Sequence, residues 1–120
     1  MSSRKIDDCV PELQEKYKLF SEGCKLYGID YIITCTRRTQ EEQNALYAQG
    51  RTLPGRKVTW TLHSKHIEGK AFDIVIMENG KPDWNADNPK WKLAGQIGQE
   101  IGLTWGGVWK SPDFPHYEVA

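Results

Sequence analysis

The stretch AFDIVIM, residues 71–77, constrains this chain more than any other. β-Branched and aromatic side chains in a short apolar run, followed by the turn pair Asn79-Gly80, describe a buried strand. Strand alternation places Ala71, Asp73 and Val75 on one face and Phe72, Ile74 and Ile76 on the other. The fold must therefore be assembled around a strand with a carboxylate at its centre. An ionised carboxylate among buried apolar neighbours is costly unless it is paired or coordinates a metal. Asp73 taken alone reads equally as a residue that caps a loop or pairs with a lysine.

The remaining elements follow from periodicity and punctuation. Val10, Leu13, Tyr17, Phe20, Cys24 and Tyr27 recur at three- and four-residue steps before Gly28, which predicts a helix over 11–27. YIITCT, residues 31–36, predicts a strand. A second helix is expected over 40–48, with Thr39 as N-cap and Glu42 completing a capping box. Residues 50–63 form a polar loop containing Pro54 and Gly55, and ENGKPDWN reads as turn chemistry. A third helix over 89–101 starts on a proline and stops at Gly102, and short strands are expected near LTW and HYEV. The pattern is that of an α+β fold, with about three helices on a small, mainly antiparallel sheet. With 120 residues and no linker or repeat, the expectation is a single domain over 1–120.

Charge and composition narrow the function classes. Sixteen basic residues balance sixteen acidic ones, so the chain lacks the electrostatic footprint expected when nucleic acid is the main partner. No apolar run reaches the roughly 18–20 residues of a membrane span. The first residues, MSSRKIDDCVPELQ, have no apolar core of the kind a signal peptide needs, so a cytoplasmic chain is expected. Cys9, Cys24 and Cys35 are odd in number and form no C-x-x-C pair, and read as small buried thiols.

Asp73 is not isolated. His66 lies seven residues earlier, an offset that on one continuous strand would send the two side chains to opposite faces. Gly69 between them permits a turn that lets both converge. This pair alone reads equally as a metal half-site or as a structural arrangement. Near the C-terminus, His116 follows Asp113 by three residues in an apparent short strand. Two histidines and one carboxylate form a common catalytic zinc set with a fourth position left for water. Asp113 is the candidate general base beside that water. There is no H-E-x-x-H motif, and His63 has no partner at suitable spacing.

The segment SKHIEGKAFD resembles the S-x-H-x-x-G-x-A-x-D signature of the zinc peptidases that act on bacterial peptidoglycan, with Ser64, His66, Gly69, Ala71 and Asp73 at its fixed positions. DFPHYE resembles that family's second block, and NGKPDWN and WGGVW look most like its compact phage L-alanyl-D-glutamate endopeptidases. The resemblance runs from about Ile33 to the C-terminus. It implies that His66, Asp73 and His116 hold one catalytic zinc ion (Zn2+) and that Asp113 is the catalytic base. It further implies that Arg38 stabilises the substrate or oxyanion, with Gln43 at the matching helical position. Ser64 reads as a substrate contact or a loop serine satisfying local backbone. Trp105, Trp109 and Tyr117 read as cleft walls or as core.

The implied activity is zinc-assisted amide hydrolysis in peptidoglycan stem peptides by a monomer. L-Alanyl-D-glutamate cleavage by a phage or prophage endolysin is expected, and D-alanyl-D-alanine carboxypeptidase or dipeptidase activity is the alternative. Such a lysin would wait in the host or bacterial cytoplasm and act on the cell wall after release. Two rival readings are a non-haem iron oxygenase, which also uses two histidines and a carboxylate, and a non-catalytic binding module on the same fold.

Overall fold

A computed structural model describes residues 2–59 and 61–120. Three helices, α1 (Pro11–Leu26), α2 (Gln40–Ala48) and α3 (Lys90–Glu100), accompany five strands. These are β1 (Tyr31–Cys35), β2 (Ala71–Glu78), β3 (Lys81–Asp83), β4 (Thr104–Trp105) and β5 (His116–Glu118). Every strand pairing is antiparallel, in the order β1-β2-β5-β4. β3 also pairs with β2, opposite β1. No helix among the described residues is long and apolar enough to cross a membrane.

Local chemistry sets the helix ends. Pro11 opens α1 with a preset φ and no N–H to leave unsatisfied. Gly28, at φ +70°, closes it, with Ile29 N–H donating back to the Cys24 carbonyl at 2.8 Å. Gly102 and Leu103 end α3 in the same way, Leu103 N–H donating to the Gly98 carbonyl. Tyr27 falls outside the buried stripe predicted for α1 and is 62% exposed at the helix end. Thr39 and Glu42 form the predicted capping box at the start of α2.

β3 is an element that sequence reading takes for a turn. Asn79 and Gly80 both have positive φ, the geometry of a two-residue hairpin, and Met77 then pairs with Pro82. Proline is tolerated there because β3 lies off the main path of the sheet, with no further strand beyond it.

The core lies where α1 and α3 cover the sheet. Phe20, Phe72 and Tyr117 are fully buried, and the Phe72 and Tyr117 rings stack at 5.2 Å. Burying each such side chain contributes roughly 1.5–3 kcal/mol. Close approach of α3 requires glycine. A Cβ at Gly98 would stand 2.7 Å from the Tyr117 ring, and one at Gly95 would stand 2.3 Å from the Trp105 indole. Gly107 closes the other side of that indole, where a Cβ would meet it at 2.2 Å. Trp105 therefore fills a slot between two glycines and stands in the core, 5% exposed, rather than at a cleft wall.

Candidate active site

Three neighbouring strands bring the site together. Asp73 on β2 is paired with His116 on β5 and with Cys35 on β1. The pairing with Cys35 exists because the β1–β2 register slips between Ile33 and Cys35, a bulge that re-aims the end of β1. His66 arrives from the turn over 64–69, which Gly69 closes at φ +71°. That turn is pinned by Arg38 N–H, which donates to the His66 carbonyl at 3.0 Å.

The donor atoms converge on one carboxylate oxygen. Asp73 Oδ1 is 3.1 Å from His66 Nε2 and 3.1 Å from His116 Nδ1. The opposite nitrogen of each ring is already committed. His66 Nδ1 faces the Thr36 carbonyl at 2.6 Å, and His116 Nε2 faces the Glu118 carboxylate at 2.7 Å. Neither acceptor can donate, so both of these nitrogens carry their protons. A neutral imidazole at each position then turns a bare lone pair toward the Asp73 oxygen. Three lone-pair donors facing one point require a cation between them.

Without a metal, protons take that place, one on each histidine. Burial disfavours the His66 imidazolium, but hydrogen bonds to Asp73 and Cys35 outweigh it and raise the group to about 10. His116 is likewise pushed up to about 9, against the burial penalty, by Asp73 and Glu118. Burial opposes ionisation of Asp73, yet its two histidine partners hold the carboxyl far below the usual range.

The same atoms suit zinc. A tetrahedral ion with bonds of about 2.0–2.1 Å holds its ligand atoms roughly 3.3 Å apart, close to the 3.1 Å that separates Asp73 Oδ1 from each histidine nitrogen. A second grouping, of Cys35, His66 and Asp73, has donor atoms within 4.8 Å of one another. The Cys35 sulfur, however, lies 3.6 Å from His66 Nδ1, the nitrogen already engaged by Thr36. Binding through that nitrogen would break the hydrogen bond, whereas His66 Nε2 and His116 Nδ1 both already face Asp73 Oδ1.

Asp113 and Arg38 face this point in a cleft of about 450 Å3 that His63, Ser64 and Trp109 also line. Burial, and after it the negative charge of Asp73, raises the Asp113 carboxyl above its ordinary value. Arg38 donates to Gln43 Oε1 at 2.8 Å, to the Cys35 sulfur at 3.3 Å and to Ser2 Oγ at 3.4 Å. Each terminal nitrogen retains one further N–H. Ser64 Oγ accepts the His66 backbone N–H at 3.2 Å, so it shapes the turn as well as lining the cleft. His63 lies on the cleft wall, and its backbone N–H donates to Thr61 Oγ1 at 2.9 Å.

Gln43 stands elsewhere than its substrate-binding assignment requires. It is fully buried behind Arg38 and bonded to protein groups only. Trp105 donates its indole N–H to the Phe114 carbonyl at 2.8 Å inside the core, and Trp109, 39% exposed, takes the wall position. Cys35 and Glu118 belong to the site and were missed. The i, i+2 spacing of His116 and Glu118 on a strand was a usable signal for the latter.

A second hollow of about 630 Å3 continues the cleft past Trp109 and Asp113, along residues 110–112. The two hollows share Val58, Thr59, Thr61, Trp109 and Asp113, and the converging donors line the first of them.

Comparison with known proteins is consistent in fold and family. A family profile described as D-alanyl-D-alanine carboxypeptidase matches residues 57–119. The peptidoglycan L-alanyl-D-glutamate endopeptidase CwlK of Bacillus subtilis is 37% identical over 123 residues, covering 93% of this chain and 74% of the relative. The L-alanyl-D-glutamate peptidase of Escherichia phage T5 is 30% identical over 126 residues, covering 98% of this chain and 85% of the relative. The crystal structure of the Serratia marcescens L-Ala D-Glu endopeptidase ChiX shares the fold with a TM-score of 0.78 at 21% identity, covering 100% of this chain and 89% of that one.

Proposed function

The chain belongs to the D-alanyl-D-alanine carboxypeptidase family of peptidases, and from that premise we propose that it hydrolyses the L-alanyl-D-glutamate bond of peptidoglycan stem peptides as a zinc enzyme. The observation that carries the zinc reading is the convergence of His66 Nε2 and His116 Nδ1 on Asp73 Oδ1, with both outer nitrogens already committed. The choice of bond is supported by the names of the relatives and by the two adjoining hollows that share Asp113 in their lining. A carboxypeptidase needs instead a closed end that recognises a terminal carboxylate.

Zinc held by His66, Asp73 and His116 would lower the pKa of water and polarise the scissile carbonyl. The chain's own residues do the rest. Asp113, whose carboxyl burial raises above its ordinary value, accepts a proton from the attacking water and delivers it to the leaving amine. Arg38, on the cleft lining and held by Gln43 and Cys35, would offer its remaining N–H groups to the carbonyl oxygen as it gains charge. Glu118 and the Thr36 carbonyl hold the two rings in the tautomers that present lone pairs inward.

The test is a pair of variants assayed for both metal and activity. Asp113→Ala should keep one zinc per chain and lose most hydrolysis of purified cell walls, on the order of 10²-fold or more. His116→Ala should lose both. Normal hydrolysis by the Asp113 variant would remove that residue from the mechanism.

A further inference from the structure

We infer that Gln43 is a positioning residue: its one buried amide hangs a wall of the cleft on the same bonds that hold Arg38. The inference rests on the peptidase reading of this cleft, and it concerns what keeps the cleft in shape around the substrate.

The wall is the strap made by residues 58–59 and 61–63, of which Val58, Thr59, Thr61 and His63 line the cleft. Among the described residues, no backbone-to-backbone hydrogen bond involves this strap. It is suspended instead from side chains on α2 and just beyond it. Gln40 donates to the Leu62 carbonyl at 3.0 Å, and Arg51 donates to the Thr59 carbonyl at 3.1 Å. Gln43 donates to the Thr61 carbonyl at 2.7 Å and to Thr59 Oγ1 at 3.3 Å. Gln40 is exposed, whereas Gln43 is completely buried and also accepts from Arg38 Nη1 at 2.8 Å.

The orientation of this amide is not open to choice. Arg38 can only donate, so Oε1 must face it, and the Thr61 carbonyl can only accept, so Nε2 must face that. Gln43 therefore fixes the distance between the guanidinium that would meet the developing charge and the wall that would meet the rest of the substrate. A side chain that merely filled space could not do both.

Glutamate separates the two duties. Gln43→Glu keeps an acceptor for Arg38, now in a charge-assisted bond, but sets a carboxylate oxygen against the Thr61 carbonyl. The strap should come loose while Arg38 stays held. Gln43→Leu removes both contacts. The experiment compares wild type and both variants, zinc-loaded, on solubilised stem-peptide substrate, and measures trypsin cleavage after Arg56 and Lys57 at the head of the strap.

For Gln43→Glu the expected result is a KM about tenfold higher, the loss of one buried hydrogen bond, with a smaller fall in kcat and faster cleavage at the strap. Gln43→Leu should show the same faster cleavage and a large additional fall in kcat. Two results would overturn the inference: unchanged KM and wild-type trypsin resistance in Gln43→Glu, or equal kcat losses in the two variants. Wild-type protein gives a check that needs no variant. The Gln43 side-chain amide protons should be protected from solvent exchange, and rapid exchange would contradict the clamp. Should wild type prove inactive on stem peptides, the peptidase reading would fall while the trypsin and exchange results still decide the clamp.

Discussion

Gly106→Ala tests how tightly the catalytic base is placed. An added Cβ at this position would stand 2.5 Å from the Asp113 carbonyl oxygen, 3.1 Å from Asp113 Cβ and 3.2 Å from His116 Cβ. The Asp113 carbonyl also accepts the His116 N–H, and the Asp113 N–H donates to the Gly106 carbonyl at 2.9 Å, so the backbone there cannot rotate away freely. Raising the shortest contact to the roughly 3.0 Å floor of real Cβ contacts requires a displacement of about half an ångström. Overpacking of this kind costs about 1–3 kcal/mol, which corresponds to a fall of roughly 4–12 °C in Tm for a chain of this size.

A misplacement of about 1 Å near the chemistry can cost about 10²-fold, so half of that should lower kcat by about tenfold. The assay is kcat on stem peptide at saturating zinc, beside a thermal melt and zinc stoichiometry. Zinc should stay at one per chain, because all three ligand side chains remain and the 3.2 Å contact with His116 Cβ asks that residue to give by only a few tenths of an ångström. Gly98→Ala is the control, because its Cβ would strike the Tyr117 ring at 2.7 Å in the core. It should lower Tm comparably while leaving kcat per folded molecule close to wild type. Wild-type kcat in Gly106→Ala, despite a lowered Tm, would refute the claim that this glycine exists to seat Asp113.

Further expectations concern the ligands, pH and the core. Glu118→Gln keeps an acceptor for His116 Nε2 but removes its charge, and should weaken zinc binding about 10–100-fold in a chelator competition; unchanged affinity would remove Glu118 from the site's support. In EDTA, His66 and His116 are raised above the ordinary histidine value. Their contribution to stability is complete below about pH 6.5 and is lost as pH rises through about 9 to 10. The metal-free Tm should therefore fall across that window, and the gain on adding zinc should grow; a flat metal-free Tm would contradict the proton-bridged cluster. Tyr117 Oη is buried with no hydrogen-bond partner among the described residues, so Tyr117→Phe should raise stability by about 1 kcal/mol in a urea melt, and a clear loss would reveal a partner.

What could be read from the sequence was whatever rests on local chemistry. α1, α2 and α3 have caps, glycine stops and apolar spacing within a residue or two of their observed ends, and β2 announces itself by composition. β3 was hidden because three residues with a central proline look like a turn until the hairpin partner is known. The meeting of His66 with Asp73 was legible through Gly69, and His116 through the common set of two histidines and a carboxylate and through the family resemblance of DFPHYE, but the partners that orient the rings were not. One of those partners is a backbone carbonyl, at Thr36, which no residue type can advertise. Cys35 read as a plain buried thiol because the β1 bulge that swings it opposite Asp73 is a property of the paired sheet. Trp105 and Trp109 are alike in sequence context, and only the glycines on either side of Trp105 decide which one is buried.

The central claim is that this zinc site cuts one particular bond. Zinc-loaded protein incubated with purified peptidoglycan, with the released fragments identified by mass spectrometry, tests it most directly. The account predicts peptides that begin with a newly exposed glutamate amine, leaving alanine on the glycan, and no such products from Asp113→Ala. Release of terminal D-alanine instead would place the chemistry at the other end of the stem peptide and contradict the account.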